Sequence, residues 1–561
     1  MTSLLGQSWE KMRKREFSVV GPSVPDVDYA RWISENEPDE AELAKQRLEA
    51  VHFHYRPLIS IVMPVWNPPT RLLAEAITSV ILQSYENWEL RIADGASNSD
   101  VKSIVSSFSE TDKRIFAQFL DRNNGISLNS NAAIQQSRGE FVALFDHDDL
   151  LAPNALFEVV AWLNRLPSLD FIYSDRDHVT IEGKRTDPLF KPDWSPDLML
   201  CSNYATQLSV IRSTLLRSLG GFRPEVDGAQ DWDLILRLAE KTQQIGHVPK
   251  ILYHWRQSPS SVSYASIRAK PYAKTSQIIA LEQYLRRNRL QAKVHHDISG
   301  YLRVEWQLDP SILISIIIFD SHGPQVLDRC INSILSKSSN HNFQILTVCD
   351  KNHVHEKRSA NAKIQTVQAP DVLNYAAAGN LGVSQAIGEF VIFLDSRIEV
   401  VSHNWLQELV GWCTRPEVGV VGGRLLYENR RIRGGAITLG LPGFLFQEAP
   451  ERFRSLLGSA EWYRNCMAVS IACLATRKSI FIEVGQFNEQ LGSIADADFC
   501  LRVREHKYRV VSTPMARLLL HDSNTEDEAG RFQRYQQLGQ ADDPYFNPNL
   551  SYEKAIPTLI V

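Results

Sequence analysis

The cadence of apolar and polar positions changes sharply near residue 58. Before it, residues 40–51 (EAELAKQRLEAV) are rich in charge and predict an amphipathic helix with Leu43, Leu48 and Val51 on or near one side, a packing arm. Residues 58–63 (LISIVM) form a short β-rich apolar run that predicts a buried strand, ended by Pro64 and the turn formers Asn67, Pro68 and Pro69. Leu72, Leu73, Ala76, Ile77, Val80 and Ile81 then recur at helical spacing, and residues 88–93 predict a second strand that runs out at Asp94 and Gly95. Strand, helix, strand is a βαβ unit, the building block of a parallel sheet whose ligands gather beyond the carboxyl ends of its strands.

The same cadence returns in the second half. ISII (314–317) repeats ISIV (59–62), and Val326, Leu327, Cys330, Ile331, Ile334 and Leu335 copy the helical stripe. GEFVIFLD (388–395) copies GEFVALFD (139–146) and DADFCLR (496–502) matches DWDLILR (231–237), each about 250 to 270 residues later. The chain therefore reads as an α/β tandem duplication: a helical arm at 1–55, one domain at 56–300 and a second at 301–561. The connector predicts a helix over 272–287 and an edge strand around 301–308. A length of 561 residues, beyond what one hydrophobic core holds, agrees.

Composition narrows the picture further. At 44% hydrophobic and 22% charged residues the chain is neither disordered nor fibrous. A formal net charge of -5 gives no basic field for nucleic acid or an acidic membrane, and KMRKR at 11–15 reads as a solvated helix face. Seven scattered cysteines without a CxxC pair indicate neither a disulfide framework nor a zinc site, and a reducing, cytoplasmic compartment is the expectation. No basic-then-apolar leader opens the sequence, and its longest apolar run, 312–319, is far below the roughly 20 residues of a membrane span.

Three strings carry candidate chemistry. DHDD (146–149) follows the apolar strand 141–144, and carboxylates so close together repel unless a cation joins them; hard oxygen ligands suit Mg²⁺ or Mn²⁺, while an acidic loop or helix cap is the plain alternative. DWD (231–233) opens an amphipathic helix, where one carboxylate serves as a cap or dipole partner and the other is a candidate general base. YHWR (253–256) ends another apolar run, and a lone His254 there is by itself more often structural than a ligand.

In order along the chain, ISIVMPVWN, RIADGAS, NNGIS with Asn131, RGEFVALFDHDD, GAQDWDLILR and YHWR resemble family 2 of the nucleotide-sugar glycosyltransferases, which have the GT-A fold. The resemblance covers most of residues 57–260, and YSDRDHV, DPLFKPDWSPDL and DPYFNPNLS look like the tandem enzymes of bacterial surface-polysaccharide assembly, of O-antigen, capsule or exopolysaccharide. It implies that Asp94 contacts the nucleotide base, that Pro64 and Val65 line that pocket through their backbone, and that Gly125, with Asn124 and Ile126, passes close to the nucleoside. Asp146 and Asp148 match the DxD motif, Asp146 towards ribose and metal and Asp148 as a metal ligand; His254 matches a histidine that completes the metal site, and Asp231 the catalytic base. The implied reaction is an inverting transfer, dependent on Mn²⁺ or Mg²⁺, from a nucleoside-diphosphate sugar to a glycan or lipid-linked glycan, in the cytoplasm with peripheral contact at the inner membrane face allowed. Lys191, Trp194 and Trp232 are candidate sugar contacts, core packing being the alternative for the tryptophans.

The second copy departs from this pattern. Cys349 stands where Asp94 stands in the first, with Asp350 one position on, and Asp395-Ser396-Arg397 puts a cation where a metal carboxylate belongs. Asp496 and Asp498 persist, and His521 lies near the family histidine, whose place is better matched by Leu520. A degenerate partner is expected, with Asp395, Asp496 and His521 as remnants. The rivals are a bifunctional enzyme in which Arg397 replaces the metal, a nucleotidyltransferase or nucleotide-sugar hydrolase, and a glycan-binding scaffold.

Overall fold

A computed structural model describes residues 26–257, 271–297, 300–338, 342–349, 363–369, 374–521, 525–538 and 543–560. The basic string 11–15 and Asp350 lie outside the described residues.

Nine strands build the first sheet: β1 (Ile59–Val65), β2 (Trp88–Asp94), β3 (Ile115–Phe119), β4 (Phe141–Leu144), β5 (Leu150–Leu151), β6 (Phe171–Val179), β7 (Arg185–Leu189), β8 (Ser209–Arg212) and β9 (Ile245–Arg256). Their order is β3-β2-β1-β4-β8-β6-β9-β5, with β7 beside β6. The β1–β2, β2–β3 and β1–β4 pairs are parallel, and β8 runs antiparallel to both β4 and β6. Chain order thus reverses direction across the sheet at β1 and β4, and a crevice opens beyond their carboxyl ends. The helix Thr70–Ile81 covers the sheet with Leu72, Leu73, Ala76, Ile77 and Val80, as its periodicity predicts.

The second sheet repeats that order strand for strand: Ile364–Gln368, Asn342–Cys349, Leu313–Phe319, Phe390–Asp395, Cys473–Arg477, Val418–Leu426, Arg509–Leu520 and Ile398–Val400. The duplication read from sequence is a duplicated topology.

Three local expectations need correction. The first strand continues through Pro64 to Val65 instead of ending there. Proline lacks an N–H, but Pro64 faces the β4 side, where pairing has already stopped at the Val62–Leu144 step, so no ladder bond is lost. The arm helix Glu40–Val51 buries Leu43, Gln46 and Ala50, leaving Leu48 and Val51 72% and 58% exposed. The strand expected at the edge around 301–308 is Leu302–Trp306, which pairs with Ala292–His296 in a separate hairpin.

The two domains share core and charge. One apolar cluster runs from Val62, Phe171 and Trp232 through Val304 and Trp306 to Ile316, Trp412 and Leu518. Across it, the buried Asp197 carboxylate accepts from Arg415 (2.6 Å), Arg509 Nε (2.8 Å) and Asn465 Nδ2 (2.7 Å). Burial alone would raise its pKa, but Arg509 and Arg415 outweigh that and hold it below the ordinary carboxylate value. The C-terminal segment folds back on the first domain, where Asn547 Nδ2 donates to Asp175 (2.8 Å) and to the Lys191 carbonyl (2.9 Å).

Asp197→Ala leaves the buried Arg415 and the partly buried Arg509 with Glu417 as their shared carboxylate, and a loss of about 3 kcal/mol in chemical denaturation is expected; an unchanged midpoint would show that this network does not hold the domains together.

Candidate active site

A cleft of about 1070 Å³ opens beyond the carboxyl ends of β1 and β4. Pro64, Val65, Gly125, Ile126, Asp146, Asp148, Asp231 and Trp232 stand on its wall. The sequence reading therefore converges on one place for these residues. Asp94, Asn124 and His254 do not form that wall.

The DHDD loop is fastened from below. His147 Nδ1 lies 2.9 Å from the Pro64 carbonyl, which the absent β4 pairing leaves available. Asp149 points inward, accepting from Tyr253 Oη (2.5 Å) and Arg256 N (2.8 Å), while Arg256 Nε donates to the Asp148 carbonyl (2.6 Å). Burial raises the pKa of Asp149 well above the ordinary value, and the charges of Asp148 and Asp146 push it in the same direction. Asp146 and Asp148 thus face the cleft with their loop tied to β9.

Gly125 caps the helix Ile126–Gln136 at φ 90°, and a Cβ there would lie 2.8 Å from Asp227 Oδ2. Only glycine suits both constraints. Asn123 and Asn129 brace the turn: Asn123 Oδ1 accepts from Gly125 N (3.0 Å) and from Asn129 Nδ2 (2.9 Å). The Asn124 side chain instead accepts from Arg122 Nε at 2.9 Å.

Asp94, fully buried at the end of β2 opposite Val65, accepts from Ser97 N at 3.2 Å. His254 donates from Nδ1 to Asp177 (2.7 Å), whose other oxygen takes Arg185 Nε (2.5 Å) and the Tyr29 hydroxyl (2.6 Å). Although burial opposes it, His254 and Arg185 hold the Asp177 pKa below its usual value. A carboxylate on one ring nitrogen fixes the tautomer and presents the other nitrogen as an acceptor or ligand. The N-terminal arm reaches this layer through Tyr29 and through Glu37, which pairs with Arg185 at 2.6 Å. Among the described residues, no three His, Cys, Asp or Glu side chains are gathered closely enough to hold a metal ion.

Asp231 and Asp233 sit two residues apart, on opposite sides of the helix, and differ in kind. Asp233 is fully buried between Arg223 and Arg237, a structural ion pair. Asp231, in the first turn of the helix Gln230–Ala239, reaches the cleft, its Oδ1 accepting from Trp232 N at 2.9 Å. Burial raises its pKa, against the hydrogen bonds from Trp232 N and the Asn203 side chain.

Two candidate sugar contacts are excluded by their surroundings. Lys191 is buried, donating to the carbonyls of Thr206 (2.6 Å) and Gln207 (2.8 Å), and Trp194 packs among Phe171, Tyr173 and Tyr204. Sequence reading missed Arg176, Trp255, Tyr301, Arg454 and Trp462, all on the cleft wall. Arg176 lies within the YSDRDHV string; Arg454 and Trp462 come from the second domain, in the stretch between its strands Val418–Leu426 and Cys473–Arg477, which is longer than the matching stretch between β6 and β8.

In the second domain the matching groups are engaged with one another. Asp395 binds Arg397 (2.7 Å) and the Tyr375 hydroxyl (2.7 Å), and Asp498 binds Arg502 (2.8 Å). Asp496 binds Arg531 and the Tyr535 hydroxyl (2.9 Å), both on the helix Thr525–Leu538. His521 lies between Glu428 (2.7 Å) and Glu399 (2.8 Å), one residue beyond its strand.

Comparison with known proteins gives a consistent picture. The family model "Glycosyl transferase family 2" matches residues 60–209 and 314–485, together more than half of the chain. The uncharacterized protein y4gI of Sinorhizobium fredii is 36% identical over 89% of this chain and 58% of its own length. The O-antigen biosynthesis protein RfbC of Myxococcus xanthus is 32% identical over 94% of this chain and 43% of its own. The chain thus spans about half the length of these relatives. Among solved structures, the mannosyltransferase PcManGT of Pyrobaculum calidifontis, in complex with GDP-Man and Mn²⁺, aligns with a TM-score of 0.33 at 19% identity, covering 44% of this chain and 73% of that one.

Gly125→Ala should destabilise the protein by about 1–3 kcal/mol in chemical denaturation, the range for a side chain forced into such a backbone conformation; full retention of stability would contradict the turn described above.

Proposed function

The chain belongs to glycosyl transferase family 2, with two tandem GT-A domains, and we propose that its first domain performs an inverting sugar transfer from a nucleoside-diphosphate sugar to a glycan or lipid-linked glycan during surface-polysaccharide assembly. The observation that carries this reading is the convergence of Pro64, Val65, Gly125, Asp146, Asp148 and Asp231 on one cleft. The name of RfbC, an O-antigen biosynthesis protein, supports the polysaccharide setting.

In this reading, Asp231 takes the proton of the acceptor hydroxyl as its oxygen bonds to the anomeric carbon. The bond to the nucleoside diphosphate breaks on the opposite side, so the anomeric configuration inverts. Asp231 stands at a helix start and is raised in pKa by burial, which makes it a stronger base than an exposed carboxylate. Gly125 lets the backbone approach the nucleoside, and Pro64 and Val65 border the base, with Asp94 behind them fixing the turn at Ser97. Asn124, beside Gly125, stands outside the wall with its side chain on Arg122.

The carboxylates of Asp146 and Asp148 are hard oxygen donors on the cleft wall, and they fit a Mn²⁺ or Mg²⁺ ion. The family resemblance would make His254, oriented by Asp177, the third ligand, although it lies off the cleft wall and is not gathered with the two carboxylates among the described residues. Such an ion supplies positive charge to the diphosphate oxygens. The second domain, taken as residues 301–561, is a degenerate copy in which Asp395, Asp496 and His521 hold structure. We assign the protein to the cytoplasm, with peripheral contact at the inner membrane face; among the described residues no helix is long and apolar enough to cross a membrane.

The test is nucleoside diphosphate release from a panel of sugar nucleotides, with Mn²⁺ or with chelator. Release should require the metal and fall at least about 100-fold in Asp148→Ala, and Arg397→Ala should match wild type. Metal-independent release, or an active Asp148→Ala, would overturn the assignment. Asp231→Asn should lower kcat by about 10²- to 10⁴-fold with little change in KM for the donor. Because the base must be ionised, kcat should fall as pH drops through the Asp231 pKa, and burial places that acid limb above the ordinary 3.8.

A further inference from the structure

The cleft of the first domain is closed by the second. Arg454, Ser459 and Trp462, on and just after the hairpin formed by Arg454–Ser455 and Gly458–Ser459, stand on its far wall with Tyr301 from the connector. This hairpin is docked on the first domain: Phe190 N donates to the Leu456 carbonyl at 2.9 Å.

Arg454 faces Arg176 of β6. Among the described residues lining the cleft these are its two guanidinium groups, and no lysine joins them. Among the described residues neither makes an ion pair. Arg176 lies over the Trp255 ring, 4.7 Å from its centroid, and its Nη1 is 3.2 Å from His178 Nε2. Burial and the nearby Arg454 lower the Arg176 pKa to about 10, and burial with both arginines lowers that of His178 to about 3, so the imidazole is neutral and accepts from Arg176. Trp462 adds a buried ring N–H without an acceptor. Two neighbouring cations with no carboxylate at ion-pair distance among the described residues, one of them partly buried, repel each other and favour an anion between them, although Asp177, Asp149 and Asp187 offset part of the charge on Arg176.

We propose that Arg176 and Arg454 form an oxyanion-binding subsite shared between the two domains, and that it holds a phosphoryl group of the substrates. The second domain then completes the first domain's cleft instead of running a reaction of its own. Guanidinium forks match phosphoryl oxygens in pairs, and the two arginines offer them from opposite walls. The choice of phosphoryl group rests on the glycosyl-transfer reading: the donor carries a diphosphate, and a lipid-linked acceptor carries one as well.

The experiment is calorimetric titration of the full chain with inorganic pyrophosphate in the presence of chelator, so that no metal bridges the Asp146 and Asp148 carboxylates. Arg454 is exposed, so its variants should keep the wild-type unfolding temperature. Arg454→Gln is expected to weaken binding about 10-fold or more, Arg454→Lys to fall between wild type and Arg454→Gln because a point charge keeps the attraction but loses the fork, and Arg454→Glu to abolish it. Absence of pyrophosphate binding in the wild type, or equal binding by Arg454→Glu, would overturn the proposal. Titration with a nucleoside diphosphate and Mn²⁺ identifies the source: a parallel loss in Arg454→Gln assigns the subsite to the donor, and unchanged affinity assigns it to the acceptor. The function reading fails separately, through silence across the sugar-nucleotide panel while the Arg454-dependent pyrophosphate binding persists.

Discussion

The structure depends on a buried charge placed between two domains. Asp197 brings a carboxylate into an interior where it would be unstable alone, and Arg415 and Arg509 reach it from the second domain. Each partner is costly to bury without the other, so the ion group favours one docking geometry over its alternatives. Around it, the shared apolar cluster supplies the non-directional part of the association. Docking in turn positions the hairpin that walls the cleft. The site of the first domain is consequently a property of the whole chain.

Seen from the charges, the two copies of one topology have opposite fates. In the first, Asp146 and Asp148 stand on the cleft wall, and the pKa of Asp149 behind them is raised by burial and, further, by their charges. In the second, Asp395, Asp496 and Asp498 each have a cation from their own domain within ion-pair distance. A carboxylate already paired gains little from a metal or a substrate proton. The helix Thr525–Leu538, which brings Arg531 and Tyr535 to Asp496, holds that carboxylate in a packing contact.

Much of this was legible in sequence because it is local or repeats. The apolar runs, the helical stripe at Leu72–Val80 positions and the duplicated GEFV strings mark strands and helices whose burial follows from period alone. The DHDD and DWD strings lie where strands and helices end, so their convergence follows from the βαβ topology. What was not legible depends on distant partners. Lys191 looked available for a sugar but is used by two carbonyls after a chain reversal, and Leu48 and Val51 lost their place in the buried face to Gln46 and Ala50. Pro64 ends a strand by propensity, yet here β4 has already stopped pairing on its side. Arg454 could not be placed at all, since nothing local says that a hairpin of the second domain borders the cleft of the first.

The central claim is that two domains of one topology make a single working site. Calorimetric titration of the full chain with the nucleoside diphosphate of its donor, in saturating Mn²⁺, counts the sites directly. One nucleotide bound per chain is the expected result; two per chain would contradict the account and make the second domain an enzyme in its own right.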